Sequence, residues 1–138
     1  MSTHQDVLTD DETELALRER LARHQFYICF TERTDREGDP MENLRPKMAE
    51  HLAWIAGLEQ KGIAFAAGPF RDRNAPGYWN GDGMFILRAE SREQAAEIAD
   101  TCPFHRSGLR GYRIVPWWMN EGCLQLTVRL TERRIDVS

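Results

Sequence analysis

The order of the predicted segments and the one-sided pattern of their apolar residues predict an α+β domain. Between residues 25 and 118 the segments run strand, helix, strand, strand, helix, strand. This order is that of the split βαβ, or ferredoxin-like, arrangement, in which two helices cover one face of a four-stranded antiparallel sheet. A chain of 138 residues has room for one such domain. Because the second sheet face stays open, we expect a homodimer.

The predicted strands are runs of aromatic and β-branched residues bounded by turn formers. They cover residues 25–31, 63–70, 83–89 and 111–117. A further alternating run at 123–130 has one apolar face, so we expect it to extend the sheet or to cross onto a partner. The polar loop 32–44 is long enough to cover a site.

Three helices are predicted from caps and from apolar periodicity. A capping box at Thr9 begins a helix that runs to about residue 24, as an appendage to the core domain. Apolar residues spaced by three and four predict a helix over 46–61. Ser91 caps the last helix, and Pro103 ends it. The chain therefore divides into an N-terminal tail and helix (1–24), a core domain (25–119) and a C-terminal strand extension (120–138).

Composition and charge exclude several functional classes. The net charge is −4, from 22 acidic and 18 basic residues, which argues against binding to nucleic acid. No apolar run approaches the roughly 20 residues of a membrane span. The N-terminal segment is polar and acidic, unlike a signal peptide. An odd count of three cysteines then predicts reduced thiols in the cytoplasm.

His51 is an ionisable residue placed among apolar ones. At about 100° per residue it falls between Leu58 and Ile55, inside the apolar stripe of the 46–61 helix. An imidazole in that position is either a hydrogen-bonded structural group or part of a functional pocket. A histidine oriented by a carboxylate is a general base suited to neutral pH.

Five short segments in one order resemble the YCII-related domain family, over roughly residues 25–118. They are His51-Leu52-Ala53-Trp54-Ile55, Ala67-Gly68-Pro69-Phe70, Ile86-Leu87-Arg88-Ala89-Glu90-Ser91, Pro103-Phe104 with Ser107-Gly108, and Ile114 to Trp117. The resemblance implies a ferredoxin-like fold that dimerises into an α/β barrel. It also implies an active site built from a helix histidine, matched here by His51, and an aspartate. Some relatives act on chlorinated aromatic ring compounds.

The chain departs from the family at the aspartate. The family has Asp-Pro followed by an aromatic residue, whereas here Cys102 precedes Pro103. Asp100 lies two positions earlier, but helix phase turns it away from the inward face that Ile98 and Cys102 share. We therefore expect the Cys102 sulfur to face the same cavity as the His51 ring. A thiol there can ionise and act as a nucleophile, or it can be inert.

Two functions follow as hypotheses. The first is a small-molecule enzyme that uses His51 for acid–base chemistry on a cyclic or aromatic metabolite, with Cys102 as the second catalytic residue of the site. The alternative is a non-catalytic ligand-binding or dimerisation module that has lost the histidine–aspartate pair.

Further residues are candidates for binding a small molecule. Arg71 is predicted at the pocket mouth, and Trp54 and Trp117 as aromatic walls. Each also has a structural interpretation, as a solvated loop residue or as core and dimer interface. No cofactor and no metal are expected, because His51, Cys102 and His105 lack the spacing of a zinc site.

Overall fold

The computed structural model describes residues 9–138, so the predicted tail at 1–8 lies outside the described residues. The chain forms two compact units, each described by itself. One unit spans residues 25–118. The other combines the N-terminal residues up to 24 with residues 119–138.

The unit of residues 25–118 has the predicted ferredoxin-like architecture. In chain order its elements are β1 (His24–Arg33), α2 (Pro40–Gln60), β2 (Ala64–Pro69), β3 (Gly83–Leu87), α3 (Arg92–Asp100), α4 (Pro103–Arg106) and β4 (Arg110–Met119), after α1 (Asp10–Glu19) of the other unit. The four strands form one sheet in the order β2-β3-β1-β4. β3 pairs antiparallel with both β1 and β2. The Thr34 N–H donates to the Leu109 carbonyl at 3.0 Å, where β1 ends and β4 begins.

Alternation along the strands divides the sheet into a core face and an open face. Cys29 lies opposite Phe85 in the register of β1 and β3, and both are buried in the main apolar core. Leu58 of α2 and Ala95 of α3 pack into the same core. The two helices therefore cover this face, as predicted.

The opposite face of the sheet carries a cluster of aromatic rings. Phe26 packs against Phe65 at 4.6 Å and Trp117 at 6.1 Å between ring centroids. The guanidinium of Arg88 lies over the Phe26 and Phe65 rings, and that of Arg113 lies 4.2 Å from the centroid of Phe30. The aliphatic parts of these two arginine side chains shield part of the aromatic surface from water.

The predicted start of the long core helix was wrong. α2 begins at Pro40, not at Pro46, so the predicted loop 32–44 shortens to the segment between β1 and residue 39. The Asp39 side chain accepts hydrogen bonds from the N–H groups of Met41 and Glu42, and Pro40 suits the first turn. Pro46 then lies inside the helix and costs one backbone hydrogen bond there. Burial of Leu44, which is fully enclosed, offsets that cost.

A sharp break between α3 and α4 positions the cysteine before Pro103. Ser91 caps α3 by accepting from the Gln94 N–H at 3.0 Å, as predicted. The helix ends at Asp100, and Pro103 begins the four-residue α4. Cys102 is the residue before α4 and is fully buried. The break turns its side chain into the protein.

The other unit contains α1 and a hairpin. Thr9 forms the predicted capping box with Glu12. The C-terminal strand does not extend the four-stranded sheet: β5 (Leu126–Arg129) pairs antiparallel with β6 (Arg134–Val137), a strand that the sequence analysis missed. The turn at Arg133, with φ of 53°, reverses the chain early enough for this pairing.

Among residues 9–138, no helix is both long and apolar enough to cross a membrane.

Candidate active site

A cavity of about 700 Å³ lies between α2 and the β2–β3 side of the sheet, within the unit of residues 25–118. One wall is a helix face and the opposite wall is strand backbone with small side chains. The lining includes Met48, His51, Leu52 and Ile55 of α2, Ala66, Ala67 and Gly68 of β2, Met84 and Phe85 of β3, Phe104 of α4 and Arg110 of β4. This volume is in the range of pockets that hold small organic ligands.

His51 lies in this lining with most of its ring enclosed. Its side chain is 8% exposed and stacks on Phe104, with ring centroids 4.4 Å apart and planes 24° apart. Phe85 and Trp54 flank the ring at 5.8 and 5.9 Å. Burial lowers the pKa of His51 to about 4, and the positive charge of Arg110 acts in the same direction. The imidazole is therefore neutral at neutral pH.

The structure brings Cys102 and His51 together. The Cys102 sulfur lies 3.5 Å from Nδ1 of His51, and the cysteine has no exposed surface. Burial raises the pKa of the Cys102 thiol, although the backbone N–H groups of His105 and Phe104 oppose this effect. The thiol is therefore protonated at neutral pH.

A thiol in this position differs chemically from a carboxylate. An ionised carboxylate only accepts a hydrogen bond, so it would hold a proton on the facing nitrogen of His51. The Cys102 thiol both donates and accepts weakly. It can donate to Nδ1 or accept from it, so both neutral tautomers of His51 are compatible with the contact.

We predict that Cys102 reacts slowly with thiol reagents at neutral pH, because it is buried and protonated. Iodoacetamide should modify the exposed Cys123 at least about tenfold faster than Cys102. Cys29 is an internal control, since it is also buried and burial raises its pKa to about 12. Mass spectrometry of a brief labelling reaction measures all three rates. Labelling of Cys102 as fast as Cys123 would revive the nucleophile hypothesis.

His105 forms hydrogen bonds through both ring nitrogens. Its Nδ1 lies 2.6 Å from the Ala99 carbonyl, and its Nε2 lies 2.8 Å from Oγ1 of the buried Thr31. Nδ1 therefore donates to the carbonyl, and Nε2 accepts from the hydroxyl. Burial lowers the pKa of His105. Within the described part of the chain, no group of three histidine, cysteine or acidic side chains is arranged to hold a metal.

Asp100 does not replace the aspartate that the family resemblance implies. Its carboxylate is exposed and accepts a hydrogen bond from the Tyr112 hydroxyl at 2.5 Å. Burial and this hydrogen bond raise the pKa of Tyr112 to about 12. The carboxylate is thus engaged with β4, away from the His51 ring, as helix phase predicted.

Of the three predicted binding residues, Arg71 lines the cavity and the two tryptophans do not. Trp54 follows His51 by three residues, and its Nε1 donates to Oγ1 of Thr101 at 2.8 Å, which turns it toward α3. Trp117 packs on the open face of the sheet, against Phe26. Neither tryptophan lies in the cavity lining, because contacts with distant segments hold Trp54 at Thr101 and Trp117 at Phe26.

Arg110 is a residue of the cavity that the sequence analysis missed. It is 6% exposed, and its guanidinium lies 4.5 Å from the Phe104 centroid and 5.7 Å from that of Trp79. Its Nε donates to the Gly81 carbonyl at 2.9 Å. The sequence held a signal: Arg110 precedes the inward-facing Ile114 by four strand positions and so shares its face. The predicted strand began one residue too late to include it.

Comparison with known proteins gives a family and a fold. The model of the YCII-related domain matches residues 25–118. A search of curated protein sequences finds no significant match. Among solved structures, the chain is similar to 5-chloro-2-hydroxyhydroquinone dehydrochlorinase (TftG) from Burkholderia phenoliruptrix AC1100, in complex with 2,5-dihydroxybenzoquinone. The TM-score is 0.54 at 18% identity, covering 67% of this chain and 92% of that one.

Proposed function

Because the chain belongs to the YCII-related domain family, we propose that it is a small-molecule enzyme that uses His51 for acid–base chemistry on a cyclic or aromatic metabolite. The observation that carries the proposal is a neutral imidazole lining a cavity of about 700 Å³. A neutral histidine can take a proton from a bound molecule at any pH above its pKa. The solved relative that acts on a chlorinated hydroquinone supports the substrate class.

Cys102 is proposed to act through His51 and not on the substrate. Its sulfur contacts Nδ1, so Nε2 is the ring nitrogen left to exchange a proton with a ligand. When Nδ1 carries the hydrogen and points it at the sulfur, Nε2 has a free lone pair and acts as a base. When the thiol donates to Nδ1, Nε2 carries a hydrogen and acts as an acid. The contact thus supports proton transfer in either direction.

The test is turnover of chlorinated and unchlorinated hydroquinones by the purified protein. Release of chloride, and the appearance of a quinone absorbance, report elimination of hydrogen chloride from the ring. Turnover that follows enzyme concentration supports the proposal. Binding of these compounds without any turnover would favour the alternative, a ligand-binding module whose thiol has replaced a catalytic carboxylate.

We also propose a homodimer in the cytoplasm. The support is apolar surface that is exposed on the described residues: the hairpin residues Leu126, Val128, Ile135 and Val137 are each at least 60% exposed. The three cysteines are free thiols, as a reducing compartment would keep them. Light scattering at micromolar concentration should give twice the chain mass, and deletion of residues 120–138 should weaken the association. A monomeric full-length chain would contradict the dimer.

A further inference from the structure

Arg110 carries a buried positive charge that forms no ion pair with any of the described residues. Its side chain is 94% enclosed, yet no acidic group lies within ion-pair distance of it among residues 9–138. Burial lowers its pKa to about 10, so it stays charged at neutral pH. Burying an unpaired charge is costly, so such groups normally have a partner.

Asp82 is the carboxylate whose charge acts on Arg110, but the two side chains form no ion pair and Oδ1 of Asp82 is engaged elsewhere. Asp82 accepts from Arg36 at 2.6 Å and from the Arg33 N–H at 2.9 Å. Arg110 itself uses only Nε, on the Gly81 carbonyl. Across the described chain, neither terminal nitrogen of its guanidinium has a hydrogen-bond partner, and the side chain lines the cavity. The donor pair that best suits an oxyanion is therefore open to a ligand.

Among the described residues that line the cavity, Arg110 is the only buried side chain that is charged at neutral pH. The other ionisable groups of the lining are the neutral His51 and the exposed Glu59 and Arg71. Phe104 joins the two inner groups, since the His51 ring stacks on it and the Arg110 guanidinium lies over it. The fixed positive charge of Arg110 and the imidazole of His51 therefore pack on one ring and line one cavity with mostly apolar walls.

We propose that the cavity binds a ring compound through an anionic oxygen, a carboxylate, phenolate or enolate, held by Arg110. This inference rests on the cavity assigned under the proposed function and names the charge of its ligand. Arg110 would also stabilise the oxygen charge that develops when His51 removes a proton from a ring hydroxyl. In that step the O–H bond breaks, Nε2 gains the proton, and the electron pair stays on the oxygen facing Arg110.

The test compares two ligands that differ in charge. The probes are 2,5-dihydroxybenzoate and its neutral amide, 2,5-dihydroxybenzamide, measured by calorimetry with the full-length protein. We expect the wild type to bind the carboxylate at least about tenfold more tightly, and Arg110→Met to lose most of that preference. Arg113→Met is the matched control, since it removes the same charge from an exposed position on the same strand.

A second measurement separates binding from a structural role. An arginine retained for folding would lower the melting temperature when replaced, whereas an unpaired buried charge replaced by methionine leaves it unchanged or raises it. Arg110→Lys keeps the charge and should retain part of the preference. Equal affinity of the wild type for both probes, binding of neither, or a preference that survives in Arg110→Met overturns the inference. Charge-selective binding without turnover supports the inference about the ligand and contradicts only the proposed enzymatic activity.

Discussion

Replacement of His51 by glutamine is expected to lower kcat on a turned-over substrate by about 10²–10⁴-fold, the usual contribution of a general acid or base. Glutamine fills much of the same space and keeps a polar group toward the cavity, but it cannot take up a proton at neutral pH. KM should change less than kcat, because the lost interaction is with the transferred proton. Steady-state kinetics at several pH values measures both.

The matched control for His51 is His24→Gln, at an exposed position at the start of β1. Circular dichroism should show that both variants stay folded. The neutral form is the active base, so wild-type activity should hold down to about pH 5 and fall as the pH approaches 4, where the imidazole takes up a proton. Undiminished kcat in His51→Gln would refute the catalytic role.

Replacement of Cys102 by aspartate is expected to raise the pKa of His51 by roughly one to three pH units, because a nearby carboxylate favours the imidazolium. The sulfur lies 3.5 Å from Nδ1, so a carboxylate at this position reaches the ring. It would also hold the proton on Nδ1 and fix Nε2 as the base. The titration of the imidazole proton signals by NMR measures the change directly.

Cys102→Asn is the control for this exchange, since it has the shape of aspartate without its charge. It should leave the pKa of His51 well below its ordinary value. If the tautomer limits turnover, Cys102→Asp raises kcat at neutral pH and moves the acid limb of the pH profile upward with the pKa. An unchanged His51 titration in Cys102→Asp would mean that the two side chains do not share the site in solution.

The depressed pKa of His51 also contributes to the pH dependence of folding stability. The folded-state value of about 4 lies below the ordinary 6.5, so between these values the unfolded chain binds the proton and the folded chain does not. The free energy of unfolding therefore falls as the pH drops from about 6.5 toward 4. Burial lowers the pKa of His105 and contributes in the same direction.

Local patterns in the sequence determined the element order and the phase of the two inner helices. Both depend on residues close in the chain: apolar spacing of three and four placed His51 inward on α2, and the same spacing joined Ile98 to Cys102. These phases turned both side chains inward, and only together with the family resemblance did they predict that the imidazole and the thiol meet across 51 residues of chain. The family resemblance contributed the expectation that position 102 lies beside His51, because the family has an aspartate there.

Tertiary structure alone decided what surrounds that pair. The start of α2 at Pro40 depended on the burial of Leu44, which outweighs the helix-breaking tendency of Pro46. The pairing of β5 with β6, and the turning of Trp54 and Trp117 away from the cavity, depended on contacts between distant segments. The charge of Arg110, which has no ion-pair partner among residues 9–138, was the least predictable feature. Periodicity shows which face of a strand a residue occupies, but whether a carboxylate meets it depends on how every neighbouring side chain packs.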